Sequence, residues 1–148
     1  MSDKLHEMLL RDEGTRLTVY DDATGKPITK GDTLQGFPTI GVGRELSKTG
    51  LSATETLMLF ENDIQRARDA AHNYSWFDTL CEARQAVVVS MIFQMGAGGF
   101  AGFSNTIKHI AERQYYMASL EMLNSLWARQ TPARAKRLSQ MMATGLWP

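Results

Sequence analysis

The segment EARQAVVVSMIFQMG, residues 82–96, restricts the possible folds more than any other part of this sequence. It is apolar on nearly all sides, so a helix formed by it is stable in water only when other elements cover most of its surface. It is also shorter than the roughly 18 apolar residues that cross a bilayer. We therefore expect a helical core around this segment in one globular domain, for which 148 residues and 43% hydrophobic content are sufficient.

Two amphipathic helices are predicted before this segment. The first has Ser2 or Asp3 as its cap and ends before Gly14. The second is long and begins with a capping box formed by Ser52 and Glu55. Its apolar residues follow at helical spacing: Leu57, Phe60, Ile64, Ala67 and Ala71.

Further helices are predicted around and after the central segment. The glycine-rich stretch GAGGFAGFSN, residues 96–105, interrupts the central helix, and MASLEMLNSLW, residues 117–127, forms one more helix. Three additional helix starts have a capping residue or a favourable neighbour: Ser75 with Asp78, Ser104 or Asn105, and Thr131 followed by Pro132.

A small β region is predicted at about residues 16–44. RLTVY alternates like a strand, DDATGKP has the composition of a turn, and ITKGDTLQGFPTIGVG returns as an irregular strand with many glycines. The predicted fold class is therefore α+β and mostly helical.

Cysteine and histidine usage indicates that the chain needs neither a disulfide nor a metal ion. Cys81 is the single cysteine, and its place at the start of the apolar helix predicts a role in the core. His6, His72 and His109 are not spaced as two ligands on one helix face. GAGGFAG lacks the preceding strand of a dinucleotide-binding motif, so we also expect no organic cofactor.

Charge is distributed unevenly along the chain. Residues 1–80 contain 9 Lys and Arg against 13 Asp and Glu, whereas residues 81–148 contain 7 against 3. The basic half can either face a polyanion or form an ordinary solvated surface. The cluster RAKRL, residues 134–138, can likewise touch nucleic-acid phosphates, but three charges on one turn are more typical of a solvated face, so we expect no nucleic-acid partner.

Glu13 and Asp22 are the leading candidates for catalysis, although acids at such places are also common without any chemical role. Glycosidic hydrolysis needs one protonated carboxylic acid and one ionised carboxylate. Glu13 lies on the apolar face of its predicted helix at the C-terminus, where burial and the helix dipole disfavour its charge. Asp22 follows in a polar turn, where it should stay ionised.

Five blocks of sequence together identify a known family. In chain order they are DEG (12–14), YDDATG (20–25), TIGVG (39–43), FQMGAGGFAGFSN (93–105) and WARQTPARAKR (127–137). Over almost the whole chain, this pattern resembles the phage-type lysozymes of T-even bacteriophages. These enzymes form glycoside hydrolase family 24 and are also called endolysins or muramidases.

The resemblance implies a two-lobed lysozyme fold. Its β lobe would cover about residues 14–50 and its connecting helix about 52–73, and residues 1–13 would join 74–148 in a helical lobe. The implied activity is hydrolysis of the β-1,4 bond between N-acetylmuramic acid and N-acetylglucosamine in bacterial peptidoglycan, with inversion.

The resemblance also implies a catalytic set of Glu13, Asp22 and Thr39. Eight residues separate Glu13 from Asp22, as in the family. Glu13 would protonate the leaving glycosidic oxygen, and Asp22 would stabilise positive charge on the sugar. The Thr39 hydroxyl would help to orient the attacking water.

Four further residues match substrate-binding or cleft positions of the family: Phe93, Gln94, Thr106 and Arg134. By the same resemblance, Arg134 is expected near Glu13 and Arg137 near Asp12. Glu45 and Glu121 differ from the family's substrate-contacting residues.

Two departures from the family pattern concern the β lobe. Sixteen residues separate Asp22 from Thr39, which is a longer interval than in the family, so the hairpin carries the insertion KPITKGDTLQ at 26–35. Arg44 replaces a histidine and is expected to pair with Asp63.

The resemblance further implies an endolysin that needs no cofactor, does not insert stably into a membrane and acts as a monomer. Without a secretory segment, it would wait in the host cytoplasm and reach the wall in the periplasm after holin-dependent release. Two alternatives stay open from the sequence. One is a lytic transglycosylase of similar fold, and the other is a helical nucleic-acid-binding module.

Overall fold

The computed structural model describes residues 3–148 as seven α-helices and a three-stranded antiparallel sheet. The predicted α+β, mostly helical fold class is confirmed. The chain forms two compact units, one ending at Leu57 and the other beginning at Met58. The lobe boundaries predicted from the resemblance stay a prediction.

The first unit contains one helix, the sheet and the start of a second helix. Its elements are α1 (Asp3–Glu13), β1 (Arg16–Asp21), β2 (Pro38–Gly41) and β3 (Arg44–Glu45), in the sheet order β1-β2-β3. Gly14 ends α1 as predicted: its N–H donates to the carbonyl of Leu10 at 2.9 Å, and its left-handed φ of 69° turns the following chain away from the helix. The predicted caps of α1, Ser2 and the side chain of Asp3, lie outside the described residues.

The insertion predicted from the long hairpin lies along the free edge of β1. Tyr20 forms a bridge with Pro27, and the N–H of Ile28 donates to the carbonyl of Val19 at 3.2 Å. Asp21 binds the far end of the insertion, where it accepts the N–H of Gln35 at 2.7 Å. These contacts give an irregular segment a defined position beside a regular strand.

The helix α2 (Ala53–Ala71) begins at the predicted capping box, which is confirmed. The Ser52 N–H donates to the Glu55 carboxylate at 2.7 Å, and the Ser52 hydroxyl accepts the Glu55 N–H at 3.2 Å. Arg44 on β3 adds two contacts to the same carboxylate, at 2.8 and 2.6 Å. The predicted pairing of Arg44 with Asp63 is therefore wrong. Asp63 pairs instead with Arg66, one turn further along α2.

The apolar face predicted for α2 is buried only near the C-terminus of the helix. Ala67 and Ala71 are buried, whereas Leu57 and Phe60 are exposed. The helical repeat gave the correct element but not the extent of its burial, because burial depends on which neighbours pack against each turn.

The second unit contains the remaining helices. A 3-10 helix (Phe77–Thr79) precedes α3 (Glu82–Ala101), α4 (Ser104–Ala111), α5 (Tyr115–Leu123), α6 (Leu126–Gln130) and α7 (Pro132–Thr144). The predicted burial of the apolar segment is confirmed: the residues of α3 with the least exposure are Ala83, Val87, Val88, Met91, Ile92 and Phe100. The predicted interruption is also confirmed, since Gly96 has φ 79° and ψ 166° within α3.

Several predicted helix ends in this unit differ from the structure. The stretch after Ser75 forms only the short 3-10 helix, and α4 is preceded by Phe103 rather than capped by the side chain of Ser104 or Asn105. The predicted helix at 117–127 is two helices, because Ser125 caps α6 by accepting the Ala128 N–H at 3.1 Å.

Thr131 has the N-cap position predicted for α7, with Pro132 at the start of the helix. Its hydroxyl does not cap α7 but donates to the carbonyl of Trp127 at 3.0 Å. The predicted start of α7 is thus confirmed, but Thr131 forms no capping hydrogen bond to an N–H of this helix.

Arg84 joins the central helix to the C-terminal end of α7. Its guanidinium donates to the carbonyls of Met142 at 2.8 Å and Ala143 at 3.1 Å, and it lies 3.8 Å from the ring centre of Tyr115. A cation at a helix C-terminus satisfies carbonyls that the helix itself leaves unpaired.

The prediction that Cys81 lies in the core is wrong. Cys81 is exposed, because it occupies the N-cap position of α3, and its thiol lies 3.6 Å from the carbonyl of Gly145. Within residues 3–148, no single helix has both the length and the apolarity to cross a membrane. Only α3 and α4 together, bent by 102°, reach that threshold.

The capping box of α2 leads to a stability prediction. Replacing Ser52 with Ala should lower the free energy of unfolding by about 1 kcal/mol, because the Glu55 N–H loses its acceptor. Urea unfolding followed by circular dichroism would measure this loss. Ser75→Ala is the matched control, since its neighbouring helix has no side-chain cap. Equal losses in both variants would contradict the assignment.

Acid should destabilise the first unit through Asp21. Hydrogen bonds from backbone N–H groups, above all that of Gln35, hold the pKa of Asp21 below its ordinary value, against the opposing effect of burial. The folded state therefore binds fewer protons than the unfolded state. The resulting stability is present above an ordinary aspartate pKa of about 4 and is lost as pH falls through the lowered value.

Urea unfolding would test this contribution if the free energy of unfolding is measured at several pH values between about 3 and 6. Asp21→Asn should flatten the acid limb of the stability curve relative to the parent protein. The pKa values of Asp32 and Glu55 are also lowered by backbone N–H groups. These two carboxylates should therefore preserve part of the dependence of stability on pH in the variant. An unchanged slope in the variant would show that Asp21 is not involved.

Candidate active site

Glu13 is the last residue of α1, and its carboxylate lies over the turn between β2 and β3. A Cβ atom placed on Gly43 would come within 2.7 Å of Glu13 Oε2, so the carboxylate lies directly against this glycine. Gly43 also has a left-handed φ of 68°, as the tight turn requires. The Glu13 carboxylate therefore lies near the end of β2.

The prediction that Glu13 is shielded on an apolar face is wrong for the protein without ligand. Both Glu13 and Leu9, one turn earlier on α1, are exposed. The helical spacing of the two residues is as predicted, but no apolar cover accompanies it.

Asp22 follows β1 and is exposed, as predicted for a polar turn. Its Oδ1 accepts the N–H of Phe37 at 2.7 Å, and its own N–H donates to the Phe37 carbonyl at 3.1 Å. Asp22 therefore exchanges two hydrogen bonds with the residue just before β2. This reciprocal pairing aims the carboxylate relative to the sheet.

Thr39 lies on β2 opposite Tyr20 and is only 3% exposed. Its hydroxyl donates to the carbonyl of Phe37 at 3.1 Å. The same peptide carbonyl thus accepts from Thr39 and from Asp22. The structure brings these two predicted residues together on one backbone group, and Glu13 contacts the turn at the other end of the same strand.

Asp21 is a functional candidate that the sequence pattern did not single out. It is 6% exposed, and its carboxylate accepts three backbone N–H groups, those of Ala23 at 3.0 Å, Gln35 at 2.7 Å and Gly36 at 2.9 Å. The alternation of a strand places consecutive side chains on opposite faces, so the pair Asp21 and Asp22 could have been recognised as one buried and one exposed acid.

The predicted substrate-binding residues of the second unit line different surfaces. Phe93 is 46% exposed, meets the edge of Phe60 with ring centres 5.9 Å apart, and lines a pocket of about 600 Å³ that also includes Trp147. Thr106 is buried beside a separate pocket of about 420 Å³, to which Glu121 also contributes.

Gln94 lies behind the smaller pocket rather than at its surface. Its Oε1 accepts the indole N–H of Trp127 at 2.9 Å, and Trp127 itself lines that pocket. Arg134 is exposed on the first turn of α7. The expected proximities of Arg134 to Glu13 and of Arg137 to Asp12 stay predictions. Within residues 3–148, Asp12 forms an ion pair with Arg11 at 2.8 Å.

Comparison with known proteins identifies the family of the chain. The family model described as phage lysozyme matches residues 11–142. The chain is 29% identical to "Probable T4-type lysozyme 2" of Dictyostelium discoideum, with 98% of this chain and 96% of that protein covered.

Two bacteriophage proteins are similarly related. The "Peptidoglycan hydrolase gp36" of Pseudomonas phage phiKMV is 30% identical over 88% of this chain and 14% of its own length. The "Endolysin" of Salmonella phage P22 is 29% identical over 82% of this chain and 78% of its own length. With the family match covering most of its length and including Glu13, Asp22 and Thr39, the chain belongs to the phage lysozyme family and is a lysozyme-type hydrolase.

Proposed function

We propose that this protein hydrolyses the β-1,4 bond between N-acetylmuramic acid and N-acetylglucosamine in bacterial peptidoglycan, with Glu13, Asp22 and Thr39 as its catalytic residues. The observation that carries the proposal is the arrangement of all three around one strand. The Asp22 carboxylate binds the N–H of Phe37 and the Thr39 hydroxyl binds its carbonyl, just before β2. Glu13 lies against Gly43, which follows β2. The similarity to a protein named peptidoglycan hydrolase supports the choice of substrate.

Glu13 is the proposed general acid. Its carboxylate lies against Gly43 and is open to solvent, so a glycan bound there would exclude water from the acid. The acid then protonates the leaving glycosidic oxygen as the bond breaks.

Asp22 is the proposed carboxylate that stays ionised through the reaction. The Phe37 N–H donates to Asp22 Oδ1 at 2.7 Å, which leaves the second oxygen for the sugar or for water. Its negative charge stabilises the oxocarbenium-like transition state. In an inverting reaction, the attacking water stands between the two carboxyl groups.

Thr39 is the proposed water-orienting residue. Because its hydroxyl hydrogen is already donated to Phe37, the Thr39 oxygen can act toward water only as an acceptor. Its near-complete burial restricts that contact to one direction. Thr39 therefore orients the water by accepting one of its hydrogens, while the hydroxyl itself stays fixed to the backbone.

The proposed biological setting is host lysis by a monomeric endolysin. Similarity to the P22 endolysin over most of both chains supports this setting. The enzyme would accumulate in the host cytoplasm and reach the wall in the periplasm through a holin-dependent opening of the inner membrane.

Substitutions of the catalytic residues test the proposal directly. Glu13→Gln should reduce clearing of purified peptidoglycan by about 10²- to 10⁴-fold, because the amide cannot donate the required proton. Asp22→Asn and Thr39→Val should also lower the rate severely, whereas Thr39→Ser, which keeps the hydroxyl, should retain much of it.

Glu7→Gln is the matched control for Glu13→Gln, since Glu7 is exposed on the same helix and makes the same chemical change. Circular dichroism and urea unfolding would establish that each variant is folded. A folded Glu13→Gln protein that still clears walls at the parent rate would refute the assignment.

The reaction products distinguish hydrolysis from transglycosylation. Mass spectrometry of digested walls should detect reducing muramic acid ends, which carry one water more than the anhydro-muramyl ends of a transglycosylase. Proton NMR recorded at early times should detect the α-anomer first, as inversion requires. Anhydro ends, together with full activity of Asp22→Asn, would support the transglycosylase instead.

A further inference from the structure

We propose that Asp21 is a positioning residue that holds Asp22 in its working orientation through the inserted segment of the hairpin. This inference rests on the catalytic role proposed for Asp22. It gives Asp21, which is outside the catalytic set, a function. It also explains why the end of the insertion is bound to β1 next to Asp22.

The first observation is that two adjacent carboxylates divide three consecutive backbone N–H groups between them. Asp21 accepts those of Gln35 and Gly36, at 2.7 and 2.9 Å, and Asp22 accepts that of Phe37 at 2.7 Å. Only the φ and ψ of Gly36 separate the Gly36 N–H from the Phe37 N–H. Fixing the first two N–H groups therefore limits the positions that the third can reach, and the third is the one that meets Asp22.

The second observation is the absence of space at Gly36. A Cβ atom there would overlap Oδ1 of Asp22 and lie 2.8 Å from the backbone nitrogen of Ala23. The returning end of the insertion thus runs directly against the catalytic carboxylate. Any shift of this end moves the atoms that border Asp22.

The third observation is that the opposite end of the insertion is attached to β1 by backbone bonds alone. The Asp21 N–H donates to the Lys26 carbonyl at 3.0 Å, and Ile28 donates to Val19. Within the loop, Asp32 closes a local turn by accepting the N–H and hydroxyl of Thr29 at 2.8 and 2.9 Å. Asp21 is therefore the side chain that joins the returning end at 35–36 to β1.

Burial explains why a carboxylate suits this position. Asp21 is 6% exposed, so its charge needs several donors, and the three backbone N–H groups supply them. An amide at position 21 would keep one acceptor oxygen but would direct an NH₂ group at the N–H of Gln35.

Kinetics with a matched control would test the proposal. In Asp21→Asn, kcat on peptidoglycan should fall about 10- to 100-fold with little change in KM, because Asp22 is displaced while the glycan-binding surface remains. Asp32→Asn is the control, since Asp32 binds backbone in the same loop but does not contact residues 35–37. It should keep kcat within about twofold of the parent, the range expected when catalytic geometry is unchanged.

Gly36→Ala provides a second variant that does not depend on the chemistry of position 21. It should lower kcat in the same way, because the added methyl group displaces the Asp22 carboxylate. Gly31→Ala is its control, since Gly31 lies in the same loop and a methyl group there meets no atom within 4 Å. Gly31 has a φ of 93°, so its variant is the more strained of the two, and a larger kcat loss in Gly36→Ala cannot be attributed to backbone strain.

An NMR measurement provides a readout that a general loss of stability would not reproduce. In the parent protein, the Phe37 amide proton should shift as the Asp22 carboxyl is protonated, because that amide donates to it. The dependence should be lost in Asp21→Asn and kept in Asp32→Asn. Parent-like kcat and parent-like Phe37 titration in folded Asp21→Asn would overturn the inference.

A double variant separates failure of this inference from failure of the proposed mechanism. If Asp21 acts through Asp22, adding Asp21→Asn to Asp22→Asn should cause no further loss of kcat. An additional loss of the full 10- to 100-fold would overturn the positioning role. Full activity of Asp22→Asn by itself would instead refute the catalytic role of Asp22, whatever the Phe37 amide shows.

Discussion

The candidate active site depends on the hydrogen bonds that the backbone N–H and carbonyl of Phe37 form. The carbonyl accepts from Asp22 and Thr39, and the N–H donates to the Asp22 carboxylate. The N–H and the carbonyl of Phe37 lie in two successive peptide planes that meet at its Cα, each of them planar and rigid. The exposed Asp22 carboxylate and the buried Thr39 hydroxyl are therefore both oriented by the backbone of one residue.

The two consecutive acids at the end of β1 have different physical roles because Asp21 is buried and Asp22 is exposed. Asp21 is surrounded by backbone N–H groups that lower its pKa, with that of Gln35 as the main cause. Asp22 has a single backbone donor and remains open to solvent. The Asp21 carboxylate thus binds only backbone groups of the fold, whereas the Asp22 carboxylate keeps one oxygen available for the reaction.

Arg44, which departs from the family pattern, forms an ion pair with Glu55 rather than with the expected partner Asp63. Arg44 binds Glu55 through both guanidinium nitrogens, and Glu55 also forms half of the capping box with Ser52. The shared carboxylate joins β3 to the first turn of α2, and its pKa is lowered mainly by the Ser52 N–H. A fork of two bonds suits arginine, which presents a planar pair of donors.

The sequence by itself determined the elements whose causes are local: the α2 capping box at Ser52, the stop at Gly14, the break at Gly96 and the burial of the apolar helix. Its family pattern also selected Glu13, Asp22 and Thr39. Only the tertiary structure decided that Glu13 is exposed, that Cys81 lies at the surface, and that Asp21 binds residues 35–36. Propensity and spacing act over a few residues, whereas burial and hydrogen-bond partners depend on chain segments that meet only after folding.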